Sequence, residues 1–291
     1  MEYIADFKAD WVRIMHERLI EMGVTIEAGI DDEKLGIAYF AARQRNVRVA
    51  RRKVLRAREF GCPQQHKAGL DALAERFERG DDVNPWLSRT RLDTSNDYFH
   101  DGLLNAWGIQ HFHLGLTPRE RNNHCLFAVV ISDAVFFLDV LPHGQYTRRD
   151  LVIRIHDNWP KLLEDSRVPG DQYGNDLTDQ EVKTLRKKNS NHTLRMPDGT
   201  VYYPPGGGIM SSGASFFAVR NHDFAMARVQ EAQRLVGSGL DEFLTKLRGL
   251  GRAPANPPSF TLLVDEADDL HALETTARTK FKLMQLFPPA S

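Results

Sequence analysis

The stretch IQHFHLGLTPRERNNHCLFAVVISDAVFFLDVL, residues 109–141, has a different rhythm from everything before it. Ile109 to Leu114 alternates with a period of two, the spacing of a strand with two unlike faces. Leu126 to Ile131 and Val135 to Leu141 are dense in β-branched and aromatic residues. Ser132-Asp133-Ala134 is short and polar enough to be a hairpin connection. The reading is three antiparallel strands in sequence order, with Gly115 to Cys125 as the longer loop between the first two.

Upstream the pattern is helical. Ile4, Phe7, Trp11, Ile14, Met15 and Leu19 recur at three- and four-residue steps and form one apolar stripe. Asp31-Asp32-Glu33 places carboxylates at the positive end of a second helix, expected to run to Phe60. A third helix is expected over Lys67 to Arg79, stopped by Gly80, and a fourth over Asn96 to Trp107.

Downstream, helices are expected over Thr147 to Trp159 and Thr178 to Lys188, the latter opened by a Thr178/Glu181 capping box. Pro197-Asp198-Gly199 signals a hairpin. Ser215 to Val219 reads as strand, and Asn221 to Val236 and Leu240 to Leu250 as helices. After the linker candidate Pro254 to Pro258, a strand over Ser259 to Val264 and a helix over Ala267 to Leu286 close the chain. The class is α+β: an N-terminal helical region followed by a small antiparallel sheet with flanking helices. Three consecutive segments are expected: 1–107, helical; 108–258, the α+β core; and 259–291, a strand and helix packed on that core.

Composition narrows the function. The 291 residues carry 38 Lys+Arg against 39 Asp+Glu, so bulk charge gives no attraction to nucleic acid and any such role must be local. The two cysteines, Cys62 and Cys125, make neither a disulfide framework nor a four-Cys metal site. No apolar run approaches the roughly 20 residues that span a bilayer. The amphipathic, acid-bearing start MEYIADFKADWVRIMHERL does not read as a secretory signal. The expectation is a soluble cytoplasmic protein with no membrane partner.

Local charge is concentrated at Arg43 to Arg58, with eight basic residues in sixteen and no acid. On a continuous helix Arg45, Arg48, Arg52 and Arg56 share one face. Forked guanidinium groups in a row suit a phosphate backbone, so these four are the candidate nucleic-acid contacts. An acidic partner surface or plain solvation are the alternatives.

Six of the eleven histidines fall between positions 100 and 156. His111 and His113, two apart on a strand, emerge on the same face. Imidazole titrates near neutrality, so such a pair can supply a general base and a general acid. It can equally bind a transition metal, with His143 or His124 and an acid such as Asp139 completing the shell. One buried structural histidine and one surface histidine is the third option. Arg119 and Arg121 follow the first strand, and His143 and Tyr146 follow the third, so a meander would gather them. That set matches RNA cleavage without metal. A base takes the 2′-hydroxyl proton, cations stabilise the phosphorane, and an acid protonates the leaving 5′-oxygen.

The run HFHLGLTPRERNNHCLFAVVISDAVFFLDVLPHGQYTRRD resembles the core of RelE/ParE-type toxins of the barnase-like ribonuclease superfamily, within residues 109–150. In that family an Arg-bearing segment precedes a strand like LFAVV, and a tight turn, a strand like VFFLDVL and a polar tail follow. The resemblance implies that Arg119, Arg121, His143 and Tyr146 are catalytic or phosphate-contacting; His111 and His113 have no fixed counterpart. The leading expectation is therefore a metal-independent endoribonuclease or RNA-targeting effector. It needs no cofactor, and its partners would be RNA and an antitoxin or other protein. A metal-dependent phosphoesterase with a His-rich site, and a non-catalytic binding module, are the alternatives.

Three further motifs carry less. Leu262 to Asp268 resembles a Walker B strand, but no GxxxxGK[ST] lies upstream, so Asp265 and Glu266 are expected to open the last helix. Arg119 to His124 has the RxxxxH spacing of HEPN ribonucleases, though between strands rather than on a helix. Gly206-Gly207-Gly208 would permit close approach to a phosphate or sugar, or be a flexible surface loop.

Overall fold

The structure is a computed structural model that describes residues 2–87, 94, 101–118, 120, 123–144, 149–169 and 177–287. The fold is α+β, with helices preceding small antiparallel sheets. The elements in order are α1 (Phe7–Glu21), α2 (Asp32–Arg45), β1 (Lys53–Arg56), α3 (Lys67–Arg79), α4 (Gly102–Trp107), β2 (Ile109–His113), β3 (His124–Val130), β4 (Ala134–Pro142) and α5 (Arg149–Asn158). They continue with α6 (Asp179–Lys187), β5 (Leu194–Arg195), β6 (Val201–Tyr202), α7 (Phe216–Ser238), α8 (Leu240–Gly249), β7 (Phe260–Val264), β8 (Asp269–Glu274) and β9 (Thr279–Gln285). No helix among the described residues is long and apolar enough to cross a membrane.

The chain divides into two compact units, Met1–Phe40 with Val219–Ser291, and Ala41–Ala218. This differs from three consecutive segments: the two ends of the chain share a unit because their backbones pair. Ile4 N–H donates to Pro258 O and Phe260 N–H to Ile4 O, each at 2.8 Å.

In the first unit α1 buries Phe7, Trp11, Ile14, Met15 and Leu19, the stripe its spacing predicts. It is stitched to β7 by the Asp10 carboxylate, which accepts from Leu262 N–H at 2.7 Å, and by Arg18, which donates to Val264 O at 2.7 Å. Residues 269–285, expected as a helix, are two strands, and β7-β8-β9 form an antiparallel sheet. TKFKLMQ alternates at its start, with Thr279 and Phe281 buried and Lys280 and Lys282 exposed, which is a strand period. Asp268 and Arg278 take the left-handed conformation (φ 60° and 47°) in the connections on either side of β8. Asp265 and Glu266 thus open a turn, not a helix. The Asp265 carboxylate accepts from Ala267 N–H at 3.0 Å and Asp269 N–H at 2.9 Å, and pairs with His271 Nε2 at 2.9 Å.

In the second unit a four-stranded sheet has the order β1-β4-β3-β2. The β2-β3-β4 meander is antiparallel as the sequence predicts, and β1 adds to it in parallel, Val54 beside Val135. Both faces are covered. Leu70, Leu73 and Phe77 of α3 pack on Phe112, Leu126 and Phe137. Leu103 and Trp107 of α4, with Leu151 and Ile155 of α5, pack on Ile109, Cys125, Phe127 and Leu138. The α3 backbone lies so close to the end of β2 that a Cβ on Gly69 would meet Leu114 O at 1.9 Å.

The basic segment is not one helix. α2 ends at Arg45, and β1 begins at Lys53. Arg45 and Arg52 are buried, whereas Arg48 and Arg56 are exposed, so the four arginines share no face. Arg52 spends its donors on Ile131 O at 2.7 Å, Arg48 O at 2.8 Å and Ala50 O at 3.1 Å, and so ties β1 to the β3–β4 turn. Pairing with β4 and burial of Val47 and Ala57 outweigh the helical preference of the arginines. Ser215, expected in a strand, makes one bridge to Ile209 just before α7 begins. The triple glycine packs on α4: Gly206 N–H donates to Ala106 O at 3.1 Å, and a Cβ there would strike Asn105 O at 2.2 Å.

Two outcomes follow. Gly69→Ala should lower unfolding free energy by about 1–3 kcal/mol in urea titration, because the obstructing atom is backbone. The Asp265 carboxyl is pulled from its ordinary 3.8 to about 2, chiefly by the hydrogen bond from His271. A depressed folded value means that its stabilisation is complete above about pH 4 and is lost between about pH 4 and 2. Asp265→Asn should therefore flatten the acid limb of the stability–pH curve in that window.

Candidate functional site

Three histidines converge on one face of the second unit. His111 and His113 of β2 have ring centroids 6.4 Å apart, and His143, just past β4, lies 6.1 Å from the first and 5.4 Å from the second. The His113 and His143 rings are stacked, with an interplanar angle of 20°. His113 is buried, His111 nearly so, and His143 is exposed.

Register explains the convergence. His113 pairs with Cys125 and His111 with Phe127. Cys125 in turn pairs with Leu141, and His143 N–H continues the ladder by donating to Asn123 O at 2.5 Å. Side chains 111, 113, 125, 141 and 143 therefore share a face. The phase depends on a β-bulge. Phe127 faces Asp139 while Ala128 faces Phe137, so Leu138 is an extra residue. Val135 and Phe137 point to the α3 side, and unbroken alternation would send His143 there too. The extra residue reverses the phase, so Val140 takes the α3 side and Leu141 joins the opposite cluster.

Two further groups complete the site. Asp101, the N-cap of α4, accepts from Leu104 N–H at 3.1 Å through Oδ1 and faces His111 Nδ1 with Oδ2 at 3.2 Å. Burial alone would raise this carboxyl. The hydrogen bond and charge of His111, with help from Arg45, outweigh it and hold Asp101 below the usual carboxylate range. The Cys125 sulfur, wholly buried, lies 3.7 Å from His113 Nδ1. Donor atoms of His113, Cys125 and His143 all lie within 4.8 Å of one another, a set able to hold a transition metal.

The other candidates go elsewhere. His124 points to the opposite side from Cys125, where its ring lies 4.3 Å from that of His66. Asp139 is committed to Arg154 at 2.9 Å and to the N–H groups of Gly61 and Val140 at 3.2 and 2.9 Å. Neither joins a metal shell with His111 and His113, as the sequence allowed. Arg119, Arg121 and Tyr146 lie outside the described residues. Reading the sequence missed Asp101 and Cys125. The first was legible as an acid one residue before the GLLNAW helix, and the second as the residue a β2-β3 register would set beside His113.

A separate group lies around His156, whose ring nitrogens meet Tyr202 Oη at 3.0 Å and Asp198 at 3.2 Å. Asp198 also lines a cavity of about 500 Å³ with Glu164, Arg167 and Thr200. No family model, curated protein or solved structure matches the chain.

Asp101→Asn keeps a capping oxygen but loses the charge that faces His111. It should destabilise the fold by about 1–3 kcal/mol at pH 7. Because the folded carboxyl is depressed, the gap between wild type and variant should close as pH falls below about 4. Urea unfolding at pH 7 and pH 3 checks both halves.

Proposed function

We propose that the histidine face is a metal-independent acid–base centre that cleaves RNA. The observation that carries this reading is the Asp101–His111 pair, with the exposed His143 ring 6.1 Å away. A carboxylate accepting from Nδ1–H fixes the ring's orientation and assigns proton transfer to Nε2. His111 is therefore the base that takes the 2′-hydroxyl proton. His143 is the acid that protonates the leaving 5′-oxygen. His113, buried and stacked on His143, is a positioning residue.

This assignment favours RNA over DNA because the substrate carries its own nucleophile, so no metal-bound water is required. Arg119, Arg121 and Tyr146 enter as the expected phosphate-stabilising groups on the sequence resemblance to RelE/ParE-type toxins. Backbone affinity falls to the exposed basic side chains Arg48, Arg51, Lys53, Arg56 and Arg58 rather than to a helical row. Arg56 lies 3.9 Å from Asp71, and Arg58 donates to Asp157 O at 2.8 Å, so Arg48 and Arg51 are the first to test.

The test is cleavage of a mixed-sequence RNA by the full chain in EDTA, with analysis of the 3′ ends. Cleavage leaving 2′,3′-cyclic phosphate is expected. His111→Ala and His143→Ala should each lower kcat by about 10²–10⁴-fold, while His124→Ala leaves it unchanged. Asp101→Asn should lower kcat with little change in KM. Absence of cleavage, or full activity in both His111→Ala and His143→Ala, would overturn the reading. Salt-dependent RNA binding without cleavage would mark a binding module instead.

A further inference from the structure

We propose that His113, Cys125 and His143 bind one divalent transition metal ion of the zinc type, and that the bound ion switches off the acid–base centre. The inhibitory half rests on the function proposed above; the metal site does not.

The donor set is the first argument. Two imidazoles and a thiol select zinc-type ions over magnesium or calcium, which prefer oxygen ligands. The geometry is the second. Zinc–nitrogen and zinc–sulfur bonds of about 2.0–2.3 Å at a tetrahedral angle separate the two ligand atoms by about 3.6 Å. His113 Nδ1 and Cys125 Sγ, on directly paired residues of β2 and β3, are 3.7 Å apart. The third donor, on His143, is within 4.8 Å of Cys125 Sγ and of a ring nitrogen of His113. It must close by about an ångström, an adjustment that an exposed side chain makes by torsion. Three protein ligands leave a fourth position for water.

The Cys125 S–H bond breaks and sulfur binds the ion as thiolate, the coordinating nitrogen of His143 gives up the proton it carries as the acid, and both protons leave to solvent without any redox change. The consequence falls on His143. Its ring nitrogen lone pair is given to the metal, so that nitrogen no longer carries a proton to a leaving oxygen. His111, turned towards Asp101, stays outside the shell.

The experiment is a cobalt(II) titration of the metal-free full chain, read by absorption. A thiolate-to-cobalt charge-transfer band saturating at one equivalent, displaced by zinc, is expected. The band should persist in Cys62→Ser and vanish in Cys125→Ser. Because Cys125 is fully buried, its variant is checked for folding, and His143→Ala provides an exposed alternative expected to weaken cobalt binding at least tenfold. RNA cleavage by the wild type should fall at least tenfold with one equivalent of zinc and return with EDTA. No band, a band that survives in folded Cys125→Ser, or undiminished binding in His143→Ala would each overturn the site. Zinc that accelerates or spares cleavage would overturn the inhibition. If the metal-free chain cuts no RNA, the proposed function and the inhibition fall together, while the band still decides the metal site.

Discussion

A single extra residue in β4 governs what the second unit presents. Leu138 has no counterpart on β3, and past it every side chain of β4 changes side. The α3-facing layer has Val135 and Phe137 before the bulge and Val140 after it. The opposite layer gains Leu138, Asp139 and Leu141, and then His143. A bulge costs ladder regularity, and here the sheet recovers it by filling both faces with core. Because each face is buried, a one-residue slip would drive polar groups into one layer and apolar groups out of the other. The histidine arrangement is thus held by the same packing that holds the sheet.

The site also has a gradient from buried to exposed. Cys125 is enclosed, His113 and His111 are nearly so, and His143 meets solvent. In such a setting the Asp101 carboxylate keeps its charge because His111 and the first turn of α4 both answer it. Elsewhere in this unit buried charge is handled the same way. Asp139 is met by Arg154 and two backbone N–H groups, and Arg52 by three carbonyls. An unpaired buried charge would cost several kcal/mol, so Asp139, Arg154 and Arg52 are structural, whatever their type suggests in a linear reading.

The linear reading failed where two patterns compete. Arg45, Arg48, Arg52 and Arg56 do recur at helical spacing, but Val47, Val49 and Val54 interrupt them with residues that favour strands. A free edge on β4 settles the competition, because β1 gains a ladder there that an isolated helix lacks. Residues 267–286 went the same way. Their apolar positions fit either period over a short run, and pairing of β8 with both neighbours decides it. The glycine triplet, open in the sequence to a phosphate or sugar approach or to a flexible loop, packs against the backbone of α4 through Gly206.

The amino-acid order alone fixed the α+β class, the α1 stripe, the α3 helix with its glycine stop, the three-stranded meander and the Thr178 capping box, whose two reciprocal bonds are present. These are local or follow from periodicity, so neighbouring residues carry the information. It also placed His111 and His113 on one face, since two steps along a strand always return to the same side. Whether His143 joined them, whether His124 or Cys125 stood beside them, and which acid faced His111 were set by the bulge at Leu138 and by the packing of α4. Those depend on registers between residues distant in the chain, and a register is a property of the assembled sheet.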